Sequence, residues 1–302
     1  MNHFKYEFLI AGVAGGTMST LLLHPLDLIK IRYAVDDGRS KLNLHHNGLS
    51  NTFKKIIISE GYSGLYKGLT PNILGSGTSW GLYFLIYNYV KAWLQEQKSK
   101  ESLGPWSHML AAANAGILTL LITNPIWVIK TRLCLQYAEE VHLSKTIKYF
   151  GMMDAFKKIS QSEGIGAFYK GLVPGLFGVS HGAMQFMTYE ELKKFYNIYR
   201  NRPFNEKLGT IQYIFCAAIS KMIASTVTYP YQVIRIRLQD QHHNYKGTLD
   251  CIRCIWKYEK GGGYYKGLSI NLVKVTPATI ITFVVYENLV NYLISLREIK
   301  LY

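Results

Sequence analysis

The sequence has few charged side chains, and acidic side chains are the scarcest. Only 18% of its 302 residues are charged, against roughly 25% in a typical soluble domain. There are 34 Lys and Arg but 19 Asp and Glu, so the formal net charge of +15 excludes an acidic disordered protein. Because hydrophobic residues make up 49% of the chain, a membrane protein is the leading class. A basic nucleic-acid-binding protein is the alternative.

Other absent features exclude further classes. Four cysteines are too few for the disulfide framework of a small secreted protein. The first residues show neither a cleavable signal peptide nor an Arg-rich transit peptide, so we expect any targeting signal to be internal. Cys251 and Cys254 form a lone Cys-x-x-Cys pair, and we expect neither a metal site nor a cofactor. No set of nucleophile, base and acid is recognisable, so we do not expect an enzyme.

Long stretches without Asp, Glu, Lys or Arg are the main positive feature. Four of them can each cross about 30 Å of hydrocarbon as a helix. Two more of similar length are each interrupted by one lysine, Lys221 or Lys274. The mean hydropathy of +0.04 fits helices that face a water-filled interior. We therefore predict six transmembrane helices, at 8–26, 68–90, 102–129, 171–189, 208–234 and 267–286.

The segments between these spans are unequal. Three long ones, 27–67, 130–170 and 235–266, carry seven Lys or Arg each. By the positive-inside rule all three lie on one side of the membrane, and the even number of spans puts both termini on the other. Solvated charge runs of a soluble, nucleic-acid-binding protein would leave the charge-free stretches unexplained, so we expect no nucleic-acid partner.

The chain repeats one unit three times, and we predict repeats at 1–101, 102–205 and 206–302. In each unit a first signature, Pro-x-x-x-x-[Lys/Arg]-x-Arg, ends an odd-numbered span. A second signature consists of a Glu followed by Tyr-Lys-Gly before the next span. The first signatures begin at Pro25, Pro125 and Pro230, and the second run from Glu60 to Gly68, Glu163 to Gly171 and Glu259 to Gly267.

The three prolines predict kinks that bring the ends of the odd helices together. Proline removes a backbone donor and clashes with the preceding turn. Positions two and five residues after each proline are neighbours on one helical face, so three converging faces would form a polar ring that closes one mouth of a cavity. A single copy of this signature could be an ordinary proline kink followed by a solvated basic residue, but that explanation does not account for three copies at nearly equal intervals.

The far ends of the even spans carry a second pattern, an aromatic residue followed by an acid and, three positions later, a base. Acid and base are again neighbours on one helical face, which predicts a second ring at the opposite mouth. The pattern is complete in the second copy only, because Asn88 replaces the acid of the first copy and Val290 the base of the third.

These residues resemble the mitochondrial carrier family over essentially the whole chain. The resemblance implies an all-α membrane protein of the mitochondrial inner membrane, with six transmembrane helices in three pseudo-threefold repeats and short amphipathic helices on the matrix side. It also implies alternating access, a monomer, termini in the intermembrane space, and cardiolipin at the N-termini of matrix-side helices. Carried over by position, the matrix gate comprises Asp27, Lys30, Lys130, Gln232 and Arg235, and the cytoplasmic gate Asn88, Lys91, Glu190, Lys193 and Glu287.

The departures from the family pattern predict weak gates. The acidic position of the first signature is Asp27 in one copy but Trp127 and Gln232 in the others, so the family's pairing rule leaves one matrix pair, Asp27 with Lys130. The cytoplasmic gate likewise keeps one pair, Glu287 with Lys91. Each missing pair in a partly wet site removes roughly 0.2 to 1 kcal/mol, which is compatible with fast switching or uniport.

The resemblance also implies a substrate class. Trp127 within its signature is similar to the branch of the family that carries folates, flavin adenine dinucleotide (FAD), pyrimidine nucleotides and nicotinamide dinucleotides. The run 229–242 resembles the carriers of folate and FAD within that branch, and so does 276–288. The implied function is import of FAD, folate or both into the matrix. A pyrimidine nucleotide or NAD carrier is the alternative.

Lys274 is the strongest candidate for a substrate contact, since a lysine in mid-span costs at least about 2.5 to 3.5 kcal/mol to insert. It lies 13 positions before Glu287, and the same offset in the other copies gives Gly75 and Phe177. In the family these are central contact points. Gly75, Gly178 and Lys274 provide two small side chains and one charge at the bottom of the cavity, which predicts room for a bulky planar ligand. Trp127 could either stack on a ring of the substrate or only seal contacts between helices. The expected substrate-binding residues are Gly75, Ser79, Trp127, Phe177, Gly178, His181 and Lys274. Lys221 is assigned to a lipid head group or to helix packing.

Overall fold

The computed structural model describes residues 6–37, 48–97, 105–137, 147–200, 203, 209–242 and 245–299, and no β-strand occurs in these ranges. Six long helical segments coincide with the six predicted spans. The fourth is divided at Gly178, whose backbone stays close to helical, so the chain keeps its direction. The segments are α1 (Tyr6–Val35), α3 (Leu69–Gln97), α4 (Pro105–Cys134), α6 with α7 (Leu172–Phe177, Val179–Tyr199), α8 (Thr210–Gln239) and α10 (Leu268–Ile299).

Three stretches of the described chain are long and apolar enough to cross a membrane by length and composition alone: Ser107–Cys134, Ile211–Gln239 and Thr248–Leu293. Within the described residues, the other three long segments, α1, α3 and the α6–α7 pair, do not meet this criterion. Polar residues within a span are tolerated where they face the interior of a bundle or a water-filled cavity.

Short amphipathic helices lie in the long connections, as predicted. They are α2 (Gly48–Gly64), α5 (Met152–Glu163) and α9 (Thr248–Glu259). Each buries two residues four positions apart, which fall on one face of a helix. These buried pairs are Thr52 with Ile56, Ala155 with Ile159, and Cys251 with Ile255.

The long helices form a closed arrangement of pairs. Helix α1 packs along α10, α3 along α4, and α7 along α8. Helices α1, α4 and α8 form the first, third and fifth spans, and are called the odd helices for that reason. They also contact one another towards their C-terminal ends. Pro25, Pro125 and Pro230 lie inside these three helices, and the convergence that they predict is observed.

A buried ion-pair cluster ties each odd helix to its short helix. The guanidinium of Arg32 donates to both carboxylate oxygens of Glu60 at 2.7 and 2.9 Å, and the ammonium of Lys67 donates to the same carboxylate. The signature residues meet in the same way in the other repeats, as Arg132–Glu163–Lys170 and Arg237–Glu259–Lys266. The hydrogen bonds from Arg132 are the largest influence on the pKa of Glu163, which falls to about 2.

The same three arginines also connect each repeat to the next. Nε of Arg32 donates to the backbone oxygen of Cys134 at 3.0 Å, Nε of Arg132 to that of Gln239 at 3.3 Å, and Nε of Arg237 to that of Ala34 at 2.8 Å. The first repeat thus binds the second, the second binds the third, and the third binds the first. This cycle closes the end of the bundle at which the odd helices converge.

The glycine of each Tyr-Lys-Gly turn touches the odd helix of the next repeat. Gly68 has φ +79°, a left-handed conformation that favours glycine. A Cβ at this position would lie 2.7 Å from Sγ of Cys134 and 3.1 Å from the backbone oxygen of Lys130. Gly171 and Gly267 also have positive φ, and each meets the next odd helix in the same way. Close approach between repeats therefore depends on the missing side chain.

We expect Gly68→Ala to destabilise the protein by about 1 to 3 kcal/mol, because alanine adds strain at positive φ to the clash with Cys134. The measurement is thermal unfolding of the purified protein in detergent. Gly77→Ala is the matched control, since it lies within α3 and a Cβ there would meet no atom within 4 Å. Equal unfolding temperatures for the two variants would show that the turn does not need glycine.

Candidate functional site

The mid-span lysine of α10 points into the bundle. Nζ of Lys274 lies 2.6 Å from Oδ1 of Asp27 on α1, and the two side chains are 26% and 13% exposed. Helices α1 and α10 pack along each other, so a side chain on either helix can reach the other. The ammonium of Lys274 therefore belongs to the interior of the bundle.

This pair differs from the expected one. The family's pairing rule assigns Asp27 to Lys130, but the carboxylate forms its ion pair with Lys274. The charge of Lys130 still acts on Asp27, while its ammonium lies over the Trp127 ring at 5.3 Å from the centroid. The physical reason is that α1 and α10 pack along each other, which brings the ammonium of Lys274 within hydrogen-bond distance of the Asp27 carboxylate.

The other bases of the proposed matrix gate bind neutral oxygen atoms. Nζ of Lys30 donates to Oε1 of Gln232 at 3.1 Å and to Oδ1 of Asn271 at 2.9 Å. The guanidinium of Arg235 donates to Oδ1 of Asn124 at 3.2 Å. Lys30 thereby joins α1 to α8 and α10, and Arg235 joins α8 to α4. Gln232 acts as an acceptor where the family pattern has an acid.

The residue before each proline has a role that the sequence analysis missed. Nε2 of His24 donates to the backbone oxygen of Lys67 at 2.9 Å, Nδ2 of Asn124 to that of Phe168 at 2.6 Å, and the hydroxyl of Tyr229 to that of Lys266 at 3.1 Å. These bonds fix the second signature of each repeat to the first. The signal was present, since all three positions carry a side-chain donor.

The interior is strongly cationic. Charge interactions connect Asp27 with the ammonium groups of Lys30, Lys130 and Lys274, and further ones connect Lys130 with Arg235 and Lys274 with Lys221. Among these interacting residues of the described chain there are thus five cations and one carboxylate, and the carboxylate interacts with three of the cations. Such an excess of one sign in a cleft concentrates the opposite sign of charge.

Two predicted contact points lie at helix contacts. A Cβ on Gly75 would be 3.1 Å from Cγ2 of Ile126 and 3.5 Å from the Trp127 ring, and one on Gly178 would be 3.4 Å from the Tyr231 ring. The two glycines therefore let neighbouring helices approach closely. Trp127 seals one of these contacts.

The remaining predicted contact residues have different surroundings. Ser79 is partly buried, and its Oγ has no hydrogen-bond partner in the described part of the chain. Nδ1 of His181 lies 2.8 Å from Oγ1 of Thr228 on α8. Phe177, at the end of α6, is 64% exposed.

Helix α3 carries an aromatic stripe that the sequence analysis missed. The ring centroids of Trp80 and Phe84 are 5.8 Å apart and nearly parallel, and both side chains are more than half exposed. Residues 80, 84, 88 and 91 fall on one helical face, which includes two residues of the proposed cytoplasmic gate. Tyr87, on the side facing α4, binds His108 through its hydroxyl at 2.9 Å. The sequence contained a signal for this stripe, since aromatic residues recur at intervals of three and four positions, at Trp80, Tyr83, Phe84 and Tyr87.

The expected cytoplasmic pair is not formed. Within the described ranges, no ion pair or hydrogen bond links Lys91 to Glu287, or either of them to Glu190 or Lys193. Glu191 pairs instead with Lys194, on the same helix. The arginine cycle links the helices at one end of the bundle, whereas the described side chains of the proposed gate at the other end form no ion pair with one another.

Comparison with known proteins gives matches over nearly the whole chain. The family model for mitochondrial carrier protein matches residues 3–98, 101–200 and 206–297. Folate transporter 1, chloroplastic, of Arabidopsis thaliana is 40% identical over 300 residues, 96% of either protein. Nicotinamide adenine dinucleotide transporter 1, chloroplastic, of the same plant is 37% identical over 94% of this chain and 91% of that protein. A mitochondrial FAD carrier protein of Saccharomyces cerevisiae is 34% identical over 93% and 94%.

These matches agree with the architecture: paired long helices in three repeats, each with its proline signature and its short amphipathic helix. The resemblance inferred from the sequence and the expected fold class are both confirmed. The chain is a multi-pass, all-α membrane protein and belongs to the mitochondrial carrier family.

Proposed function

We propose that this carrier imports FAD, folate or both across the mitochondrial inner membrane by alternating access. The observation that carries the proposal is the cationic interior, in which Asp27 interacts with three lysines and two further bases lie next to those lysines. FAD has two phosphate charges and reduced folate two carboxylates. Charge-assisted hydrogen bonds from lysine or arginine to such groups are roughly twice as strong as neutral ones.

The planar rings of these vitamins have matching partners in the protein. A heterocycle can stack on an exposed aromatic side chain, and the stripe of α3 offers Trp80 and Phe84 on the face that leads to Asn88 and Lys91. Trp127 is a further candidate, with Lys130 over its ring. An anionic molecule with a planar ring therefore suits this interior better than a small inorganic anion does.

The proposed roles follow the family pattern. Lys274 binds an anionic group of the substrate, and its ion pair with Asp27 breaks as it does so. In this proposal the hydrogen bonds of Lys30 and Arg235 hold the matrix gate closed, and the conformation described is the one in which the cytoplasmic gate is open. The further proposed substrate contacts are Gly75, Ser79, Trp127, Phe177, Gly178 and His181.

An NAD carrier is the second candidate, because a relative with 37% identity is named for NAD. NAD shares the adenine and the diphosphate of FAD but has a smaller net negative charge, since its nicotinamide ring is cationic. The large excess of interior cations favours the more anionic FAD and folate. The relatives include chloroplastic proteins, so the inner-membrane location, like the orientation of the termini, the monomeric state and bound cardiolipin, is part of the proposal.

We expect saturable uptake of FAD, reduced folate or both when the purified carrier is reconstituted into liposomes. Mutual competition would show whether the two vitamins share one site. Empty liposomes, and liposomes with the carrier heated beyond its unfolding temperature, are the controls. Saturable uptake of NAD or of pyrimidine nucleotides, with neither vitamin transported, would overturn the choice of substrate.

We expect Lys274→Ala to lower the uptake rate at least about tenfold while the protein remains folded, because one charge-assisted hydrogen bond to the substrate is lost. Lys274→Arg should retain part of the activity. Lys257→Gln, an exposed site on α9, is the matched control. Normal uptake by a folded Lys274→Ala protein would remove this lysine from the substrate site.

A further inference from the structure

Lys221 on α8 is an unexplained cation of the interior. The positions that correspond to it in the first and second repeats, at the same intervals as the prolines, are Gly16 and Gly116. No hydrogen bond or ion pair of Lys221 occurs within the part of the chain that the structure describes. The third repeat thus has a long charged side chain where the others have none.

The register of α8 places Lys221 on its inward face. With 3.6 residues per turn, positions seven and eleven residues later lie on nearly the same side of the helix. These positions are Thr228, which contacts His181, and Gln232, which accepts a hydrogen bond from Lys30. Lys221 therefore lies above residues that already face the interior.

Its surroundings confirm this direction. The hydroxyl of Thr228 donates to the backbone oxygen of Ala224, one turn from Lys221, so His181 lies beside the same stretch of α8. The charge of Lys221 acts on His181 and on Lys274. A lysine reaching for a lipid head group would extend away from both, so an inward-facing Lys221 argues against the head-group alternative that the sequence left open.

The lysine has no acid to offset its cost. A charge at this depth costs at least about 2.5 to 3.5 kcal/mol, and glycine at the corresponding position of the other repeats avoids it. Lys274 has Asp27 as its partner, and Lys30 has two amide oxygens. Lys221 is thus an interior cation whose charge an incoming anion neutralises without breaking a bond to any described residue.

We propose that Lys221, beside His181, is a second anion-binding point of the cavity, which takes the phosphate or carboxylate group of the substrate that Lys274 does not bind. It rests on the proposed function, in that Lys274 binds the first such group. Two separate points make the carrier selective for substrates with two anionic groups. They also allow the substrate to bind Lys221 before Lys274 has left Asp27.

The test measures ligand binding by the purified, full-length carrier, using calorimetry with inorganic pyrophosphate, FAD, reduced folate and uncharged riboflavin. We expect Lys221→Gln to weaken binding of pyrophosphate, and of whichever vitamin binds, about tenfold, as for the loss of one charge-assisted hydrogen bond. Riboflavin binding should not change. Lys221→Arg should restore most of the affinity, which a purely structural role of the lysine would not predict, and Lys257→Gln should match the unmodified protein.

Lys221→Gly, which inserts the residue of the other two repeats, provides a second folded variant that should behave like Lys221→Gln. Pyrophosphate binding that depends on Lys221, with no binding of FAD or folate, would support the anion point and refute the proposed substrates. Vitamin binding of equal strength in the unmodified and Lys221→Gln proteins would refute the anion point and leave the proposed function intact. Absence of pyrophosphate binding by the unmodified protein would also overturn this inference.

Discussion

The closure of one end of the bundle depends on three buried guanidinium groups. Each arginine holds the glutamate of its own repeat with its terminal nitrogens and a backbone oxygen of the next repeat with Nε. Burying a charge is costly unless the charge is paired and hydrogen-bonded. A lysine from the Tyr-Lys-Gly turn completes each cluster. Because the three links form a cycle, the odd helices cannot separate at this end without breaking several of them.

The closed end explains the cationic interior. The bases two positions before these arginines, Lys30, Lys130 and Arg235, lie on the converging helices, and of the three first signatures only that of the first repeat supplies an acid, Asp27. Repulsion among the bases opposes closure, and the bonds to Gln232, Asn271 and Asn124 offset only part of it. An anionic substrate would reduce this repulsion, so the same charges that select the substrate also make the closed state sensitive to it.

The sequence predicted the repeats, the helices, the convergence at the prolines and the family, because these follow from periodic features that hold locally in each copy. The sequence did not predict ion pairs that depend on the distance between side chains on two packed helices. Asp27 pairs with Lys274 and not with Lys130 for this reason. The sequence left the role of Lys221 open, because a single lysine in an apolar run does not show which way it points. The register with Thr228 and Gln232 indicates the inward face of α8. The side-chain donors before the three prolines, His24, Asn124 and Tyr229, were predictable, because the same position of every repeat carries a donor.

The central claim is that Lys274 faces a water-filled, cationic cavity. The most direct measurement is the reactivity of Lys274→Cys, with the four native cysteines replaced by serine, in lipid nanodiscs that expose both mouths of the carrier. The account predicts fast modification by a water-soluble, negatively charged methanethiosulfonate, slower modification by its positively charged analogue, and protection by the transported vitamin, whereas Lys257→Cys should show no such protection. A Lys274→Cys thiol that does not react with either water-soluble reagent, while Lys257→Cys reacts, would contradict it.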